Sequence, residues 1–269
     1  MKNKTTKDIF VIGFALFSMF FGAGNVIFPP YLGMGSGPKW VLGFACYYLA
    51  DIGLALFALF SMFRKNGSKE LISPIGKYPS TILMCAIVLC IGPMLALPRT
   101  AAMTYEMSVE PLTNNINSVI FSILFFLLIF LFSIRENSVV DIVGKILTPL
   151  LLFGLLVLIV KGVITPLGTY SSSAQIANVA EEGVKAGYQT MDVLATMIFG
   201  TLILRSAETK GYIKSKEKRH VAIRASIIAG ALLFIVYCGL TYLGASVSAK
   251  YNLSCGRSAL MLTIVSSLL

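Results

Sequence analysis

Phe20-Phe21-Gly22-Ala23-Gly24-Asn25-Val26-Ile27-Phe28-Pro29-Pro30 lies inside the first long apolar run of the chain. Two glycines, an asparagine and two prolines interrupt a stretch that is otherwise hydrophobic. Glycine and proline weaken a helix interior by roughly 1 and 3 kcal/mol each. In lipid, a broken helix exposes backbone groups that need partners, so a break is tolerated where it lines a cavity. Its freed N–H groups then suit a carboxylate, and its freed carbonyls suit a cation or an ammonium. The alternative reading is a proline kink with close-packing glycines. Asn25 and the double proline favour the broken-helix reading, which makes Gly22, Ala23, Gly24 and Asn25 candidate substrate-binding residues.

The rest of the chain agrees with a membrane setting. Of 269 residues, 57% are hydrophobic and 13% charged, and the mean hydropathy is +0.83. A soluble domain is nearer half apolar and a quarter charged. About seven apolar stretches approach the roughly 20 residues that a span requires. They run from about Asp8 to Leu32, Trp40 to Phe63, Ser80 to Tyr105, Val119 to Ser133, Val140 to Val160, Gly187 to Gly211 and Ala225 to Ala245. This predicts an all-α fold, a polytopic transmembrane helical bundle. The net charge of +10 would suggest nucleic acid in a soluble protein, but most of the 22 basic residues lie between the apolar stretches. With the N-terminus in the cytoplasm, most of them fall on the inner side, including Arg135, Lys145 and the run from Arg205 to Arg224, as the positive-inside rule requires. No nucleic-acid partner is expected. The apolar run after Lys7 lacks a small-residue cleavage site and reads as a retained first helix. The stretch Ala174 to Lys185 predicts a short surface helix in an outer loop.

Four of the five cysteines lie in apolar segments without zinc or redox spacing. The single His220 lies in a basic loop. No phosphate-binding loop, HExxH or Gly-x-Ser-x-Gly motif is present, so neither an enzyme nor an ATP-driven pump is expected. Comparing the chain with itself aligns Leu16 to Gly22 with Leu194 to Gly200 at a constant offset. These segments fall in the first and sixth spans, which run in opposite directions. An inverted five-span repeat produces that pattern. It predicts a second helix break near Phe199, Gly200 and Thr201, facing the first. Asp51, Arg99 and Asp192 are ionisable residues within spans, where charge is costly and faces a partner or a cavity. Their roles stay open between function and a structural ion pair.

The segment FGAGNVIFPP, the following LGMGSG with Trp40, LPRTAAMTYEM around Arg99, and GYQTMDVLATMIFG from Gly187 to Gly200 resemble the branched-chain amino acid carrier family of leucine–isoleucine–valine cation symporters. The resemblance runs along essentially the whole chain and matches the first two-thirds of a family member. It implies a leucine-transporter-like inverted repeat, truncated after about seven spans. Residues 1–161 would form the first five-span repeat, 162–186 an extracellular loop with its surface helix, and 187–269 an incomplete second repeat ending in a short apolar helix. It also implies import of leucine, isoleucine and valine across the bacterial plasma membrane by symport with Na+ or H+, with no cofactor and no bound metal beyond a transported sodium. Gly22 to Asn25 would hold the substrate carboxylate, with Phe199, Gly200 and Thr201 as the opposite wall. Ser18, Phe21 and Asn25 would contribute to cation binding. The other reading is a truncated, non-transporting membrane protein that binds or regulates.

Overall fold

The computed structural model describes residues 2–65, 67–112, 117–134 and 147–268, with side chains from residue 5 onward. Arg135, Lys145 and the start of the expected fifth span lie outside the described residues. All regular structure among the described residues is helical. The first apolar run forms α1 (Lys2–Phe20) and α2 (Ala23–Ser36), separated at Phe21 and Gly22. The interruption falls where the glycine pattern puts it. A positive φ at Gly37 turns the chain, so that α2 and α3 (Trp40–Tyr48) pack together. A π turn, Leu49–Gly53, joins α3 to α4 (Leu54–Arg64). After the short α5 (Ser68–Ile72), α6 (Lys77–Leu89) and α7 (Ala96–Thr104) are kinked apart at Gly92 and Pro93. Then come α8 (Ser118–Ser133), α9 (Thr148–Ile164), α10 (Val179–Gln189), α11 (Asp192–Thr209), α12 (Ser215–Ser246) and α13 (Arg257–Leu268).

Among the described residues, four helical stretches are long and apolar enough to cross a bilayer: Ala23–Arg64, Lys77–Val109, Val179–Thr209 and Ser215–Ser246. Three shorter apolar helices, α8, α9 and α13, accompany them. Val119, Ile123, Phe130 and Leu131 of α8 are each more than half exposed. Apolar surface of this extent suits a hydrocarbon solvent rather than water.

The 32-residue α12 is the axis of the core, about 48 Å long at 1.5 Å per residue. It contacts α1, α2, α3, α4, α9 and α11. Its buried face carries Ala222, Ala225, Ala229, Gly230, Gly244 and Ala245. In lipid, where water drives no helix association, small residues bring backbones into dispersion contact. The contact is closest against α2. A Cβ on Gly244 would fall on the Pro30 carbonyl, and one on Gly33 on the Thr241 carbonyl.

Two expectations are corrected. No break occurs at Phe199, Gly200 and Thr201, because α11 runs unbroken through them. The chain is interrupted instead at Thr190 and Met191, where Met191 adopts a left-handed φ of 66°. The helix ahead of that break is also more than a surface helix. One face of α10 is charged, with Lys185 Nζ 2.7 Å from Glu181. The opposite face carries Gly183 and Gly187, buried against α3. A Cβ on either glycine would stand 2.7 Å from a backbone oxygen, that of Gly43 or Tyr47. This is a small-xxx-small contact, and it packs α10 into the bundle, continuous with α11 in the apolar stretch Val179–Thr209.

Candidate functional site

Helix α1 ends at Phe20, and α2 begins at Ala23 after Gly22 in an extended conformation. The Gly22 N–H donates to the Phe20 carbonyl at 2.9 Å, and the Asn25 N–H to the Gly22 carbonyl at 3.0 Å. The start of α2 is thereby a helix N-terminus placed within the protein. Such an end presents N–H groups and a positive dipole to an anion.

Asn25, 2% exposed, ties the break to the rest of the molecule. Its amide nitrogen lies 2.5 Å from the Phe20 carbonyl, 2.8 Å from Asp192 Oδ2 and 2.6 Å from the Tyr237 hydroxyl. An amide has two hydrogens, so two of these three oxygens are served at a time. Asp192 opens α11, immediately after the second break. The two interruptions, 167 residues apart in sequence, therefore meet through one side-chain hydrogen bond.

The surroundings are polar and buried. Thr190, in the second break, donates its hydroxyl to Asp51 Oδ1 at 2.8 Å or to the Gly187 carbonyl at 2.6 Å. Asp51 sits in the π turn between α3 and α4 and is fully buried. Such turns re-aim side chains and recur at functional sites. Arg99, on α7, donates to the Gln189 carbonyl at 2.6 Å, with the Thr190 carbonyl at 3.4 Å. It thus neutralises the negative C-terminal end of α10. The same guanidinium lies 5.8 Å from the Phe28 ring centre, and that of Arg257 lies 5.0 Å from it.

The expected site residues separate into two groups. Gly22 is exposed, and a Cβ there would meet nothing within 4 Å. Ala23 opens α2 beside it. Gly24 is buried, with Phe28 and the Arg99 guanidinium over its Cα. Phe21 stacks on Phe17 with ring centres 5.5 Å apart. Ser18 donates to the Ala15 carbonyl at 2.8 Å. Phe199 joins this group by packing edge-on against Phe20, with centres 5.5 Å apart. Gly200 and Thr201 face elsewhere. A Cβ on Gly200 would collide with Met62 of α4. Thr201 lies 3.2 Å from the Ser68 hydroxyl and lines a cavity of about 810 Å³ with Lys69, Lys77 and Arg205. Nine residues along α11 put it about 13 Å from Asp192. Thr201→Val is accordingly expected to leave leucine affinity within about twofold, inside the ~0.5 kcal/mol of a change remote from the site; equilibrium binding of radiolabelled leucine checks this.

Thr190, Tyr47 and Tyr237 belong to the cluster but carry no local signal in the sequence. The tyrosines are buried within apolar helices, where they read as packing.

These features define a polytopic helical membrane protein whose polar chemistry is gathered where two interrupted helices meet. The chain belongs to the branched-chain amino acid transport protein family, whose model matches residues 5–269. It is 34% identical over 247 residues to the branched-chain amino acid permease BraB of Bacillus subtilis (strain 168), covering 89% of this chain and 56% of BraB. It is 30% identical over 262 residues to the branched-chain amino acid permease BrnQ of Escherichia coli (strain K12), covering 95% and 60%. It is 35% identical over 245 residues to the branched-chain amino acid transport system 2 carrier protein of Pseudomonas aeruginosa, covering 89% and 56%. The chain thus spans between 56% and 60% of the length of these curated relatives. No solved structure matches it. The family is one of transport proteins, not of enzymes.

Proposed function

We propose that the chain forms the substrate-binding part of a secondary transporter that imports leucine, isoleucine and valine across the bacterial plasma membrane, coupled to Na+ or H+. The observation that carries this reading is the hydrogen bond from Asn25 to Asp192, which brings two interrupted spans together. Paired broken helices are how inverted-repeat transporters build a midplane site, and the spans concerned are the first and the sixth of the expected seven. The reading includes a leucine-transporter-like repeat and a cytoplasmic N-terminus.

The start of α2 suits the substrate carboxylate, as a helix N-terminus with the Arg99 guanidinium close to Gly24. Phe20, Phe21 and Phe199 supply an apolar wall for a branched side chain. One methylene in such a pocket discriminates by only about 1–3 kcal/mol, which fits a carrier of three similar amino acids. Transport requires that the ligand bind the outward and inward states differently. The two breaks are where such a difference has room to act.

Leucine uptake into proteoliposomes containing the purified chain tests the reading, with sodium and proton gradients imposed separately. Accumulation above the external concentration under one gradient is expected. Saturable leucine binding with no accumulation under either gradient would favour the non-transporting binding protein.

A further inference from the structure

Asp51 and Asp192 come from separate elements, the π turn after α3 and the start of α11, and are 0% and 7% exposed. Thr190 stands between them, its hydroxyl 2.8 Å from Asp51 Oδ1 and 3.5 Å from the Asp192 backbone nitrogen. The polar groups around them, among the described residues, come from separate elements. Asn25 comes from α2, Tyr47 and Tyr48 from α3, Arg99 from α7, Thr190 from the second break and Tyr237 from α12.

The charges in this cluster do not balance. Among the described residues Arg99 is its one cation, and no ion pair there joins it to either carboxylate; its hydrogen bonds go to the Gln189 and Thr190 carbonyls. Two carboxylates against one offset guanidinium leave one negative charge in excess, in a region of low dielectric. Uncompensated charge is not kept in such a place without a partner. Moreover, three buried polar atoms of the cluster lack a hydrogen-bond partner: Arg99 Nε, which is a donor, and Asp51 Oδ2 and the Tyr47 hydroxyl. Buried polar atoms are almost always satisfied, and an exception calls for a missing partner. A single positive charge between the carboxyls supplies the charge and a partner for the two oxygens. Among the described residues no third His, Cys, Asp or Glu joins the pair, so the site suits one unit of charge rather than a divalent metal.

We propose that Asp51 and Asp192 hold the coupling cation of the carrier, one exchangeable monovalent charge carried by a sodium ion or a proton. The inference rests on the symport reading above. Coupling follows from placement. Asp192 hangs on the second break and is held by Asn25 of the first, while Asp51 is fixed in the second span. Movement at either break changes the separation of the carboxyls, and with it their hold on the charge. Substrate and cation affinities are then linked in both directions.

The test uses the purified chain with Asp51→Asn and Asp192→Asn, which keep the shape and remove the charge. Two readouts do not involve leucine: binding of radioactive sodium in detergent, and the infrared carbonyl stretch of a protonated carboxyl at neutral pH. Wild type is expected to give one of the two signals, and each variant to lose it while staying monodisperse. Absence of both signals in wild type overturns the proposal, as does a signal unchanged in the variants. In proteoliposomes, leucine exchange without a gradient reports the transport reading separately. Both variants are expected to lose at least about tenfold in gradient-driven accumulation. Full accumulation by either variant overturns the coupling role, whereas absence of exchange in wild type counts against the transport reading alone.

Discussion

Gly24→Leu is expected to abolish leucine binding while leaving the protein inserted and folded. Gly24 lies in the first turn of α2, where N–H groups have no helical partner. A Cβ at this position would stand 3.0 Å from the Phe28 ring and 3.2 Å from Arg99 Nη2. Both neighbours are ends of side chains, so an alanine is accommodated by small adjustments. A leucine adds three more carbons in the same place. They cover the N–H groups and displace the Arg99 guanidinium from the Gln189 and Thr190 carbonyls. Loss of anion recognition at that end should lower leucine affinity at least about a hundredfold, ~2.8 kcal/mol at about 1.4 kcal/mol per decade. Gly24→Ala should lose much less. Equilibrium binding of radiolabelled leucine to the two purified variants gives the comparison, and wild-type affinity in Gly24→Leu would remove the first break from the site.

Gly244→Ala should have the largest effect on stability. The residue lies on the face of α12 that meets α2, and an added methyl would occupy the position of the Pro30 carbonyl. The obstacle is backbone, not a movable side-chain tip. Relief requires α2 and α12 to separate along their whole contact, including the reciprocal approach of Gly33 to Thr241. Overpacking on this scale costs about 3 kcal/mol or more, which corresponds to a fall of about 6–12 °C in the melting midpoint of a chain of this size. Gly154→Ala is the control. Nothing lies within 4 Å of a Cβ there, and replacing a glycine inside a helix should be neutral or stabilising by up to about 1 kcal/mol. Thermal unfolding of both variants in one detergent distinguishes them, and equal midpoints would contradict the close α2–α12 contact.

The first break was legible because its cause is local. Gly22, Gly24, Pro29 and Pro30 each disfavour helix, and they fall together inside an apolar run. The second break has no such marker. Gln189, Thr190, Met191 and Asp192 include neither glycine nor proline, and the left-handed turn is made by Met191. The internal match to residues 16–22 drew attention to Gly200 instead, whose lack of a side chain serves contact with Met62. Gly183 and Gly187 were hidden by their neighbours. Glu181, Glu182 and Lys185 give α10 a charged face, and a helix charged on one side at a span boundary reads as a surface element. The kink at Gly92 and Pro93 followed the same local logic as the first break and had the residues to announce it.

The charged residues show the opposite pattern. Asp51, Arg99 and Asp192 stood out at once, because charge inside an apolar span is costly. Their partners did not, since the contacts that define them are non-local. Thr190 meets Asp51 across 139 residues, and Asn25 meets Tyr237 across 212. Periodicity and composition locate an unusual residue, but only the fold reveals what it faces.

Leucine binding to the purified chain, measured at equilibrium with isoleucine, valine, alanine and lysine as competitors, tests the central claim most directly. The account predicts saturable binding displaced by isoleucine and valine, with alanine and lysine far weaker. No saturable binding, or displacement by alanine and lysine as readily as by isoleucine, would contradict a branched-chain amino acid site at the meeting of the two breaks.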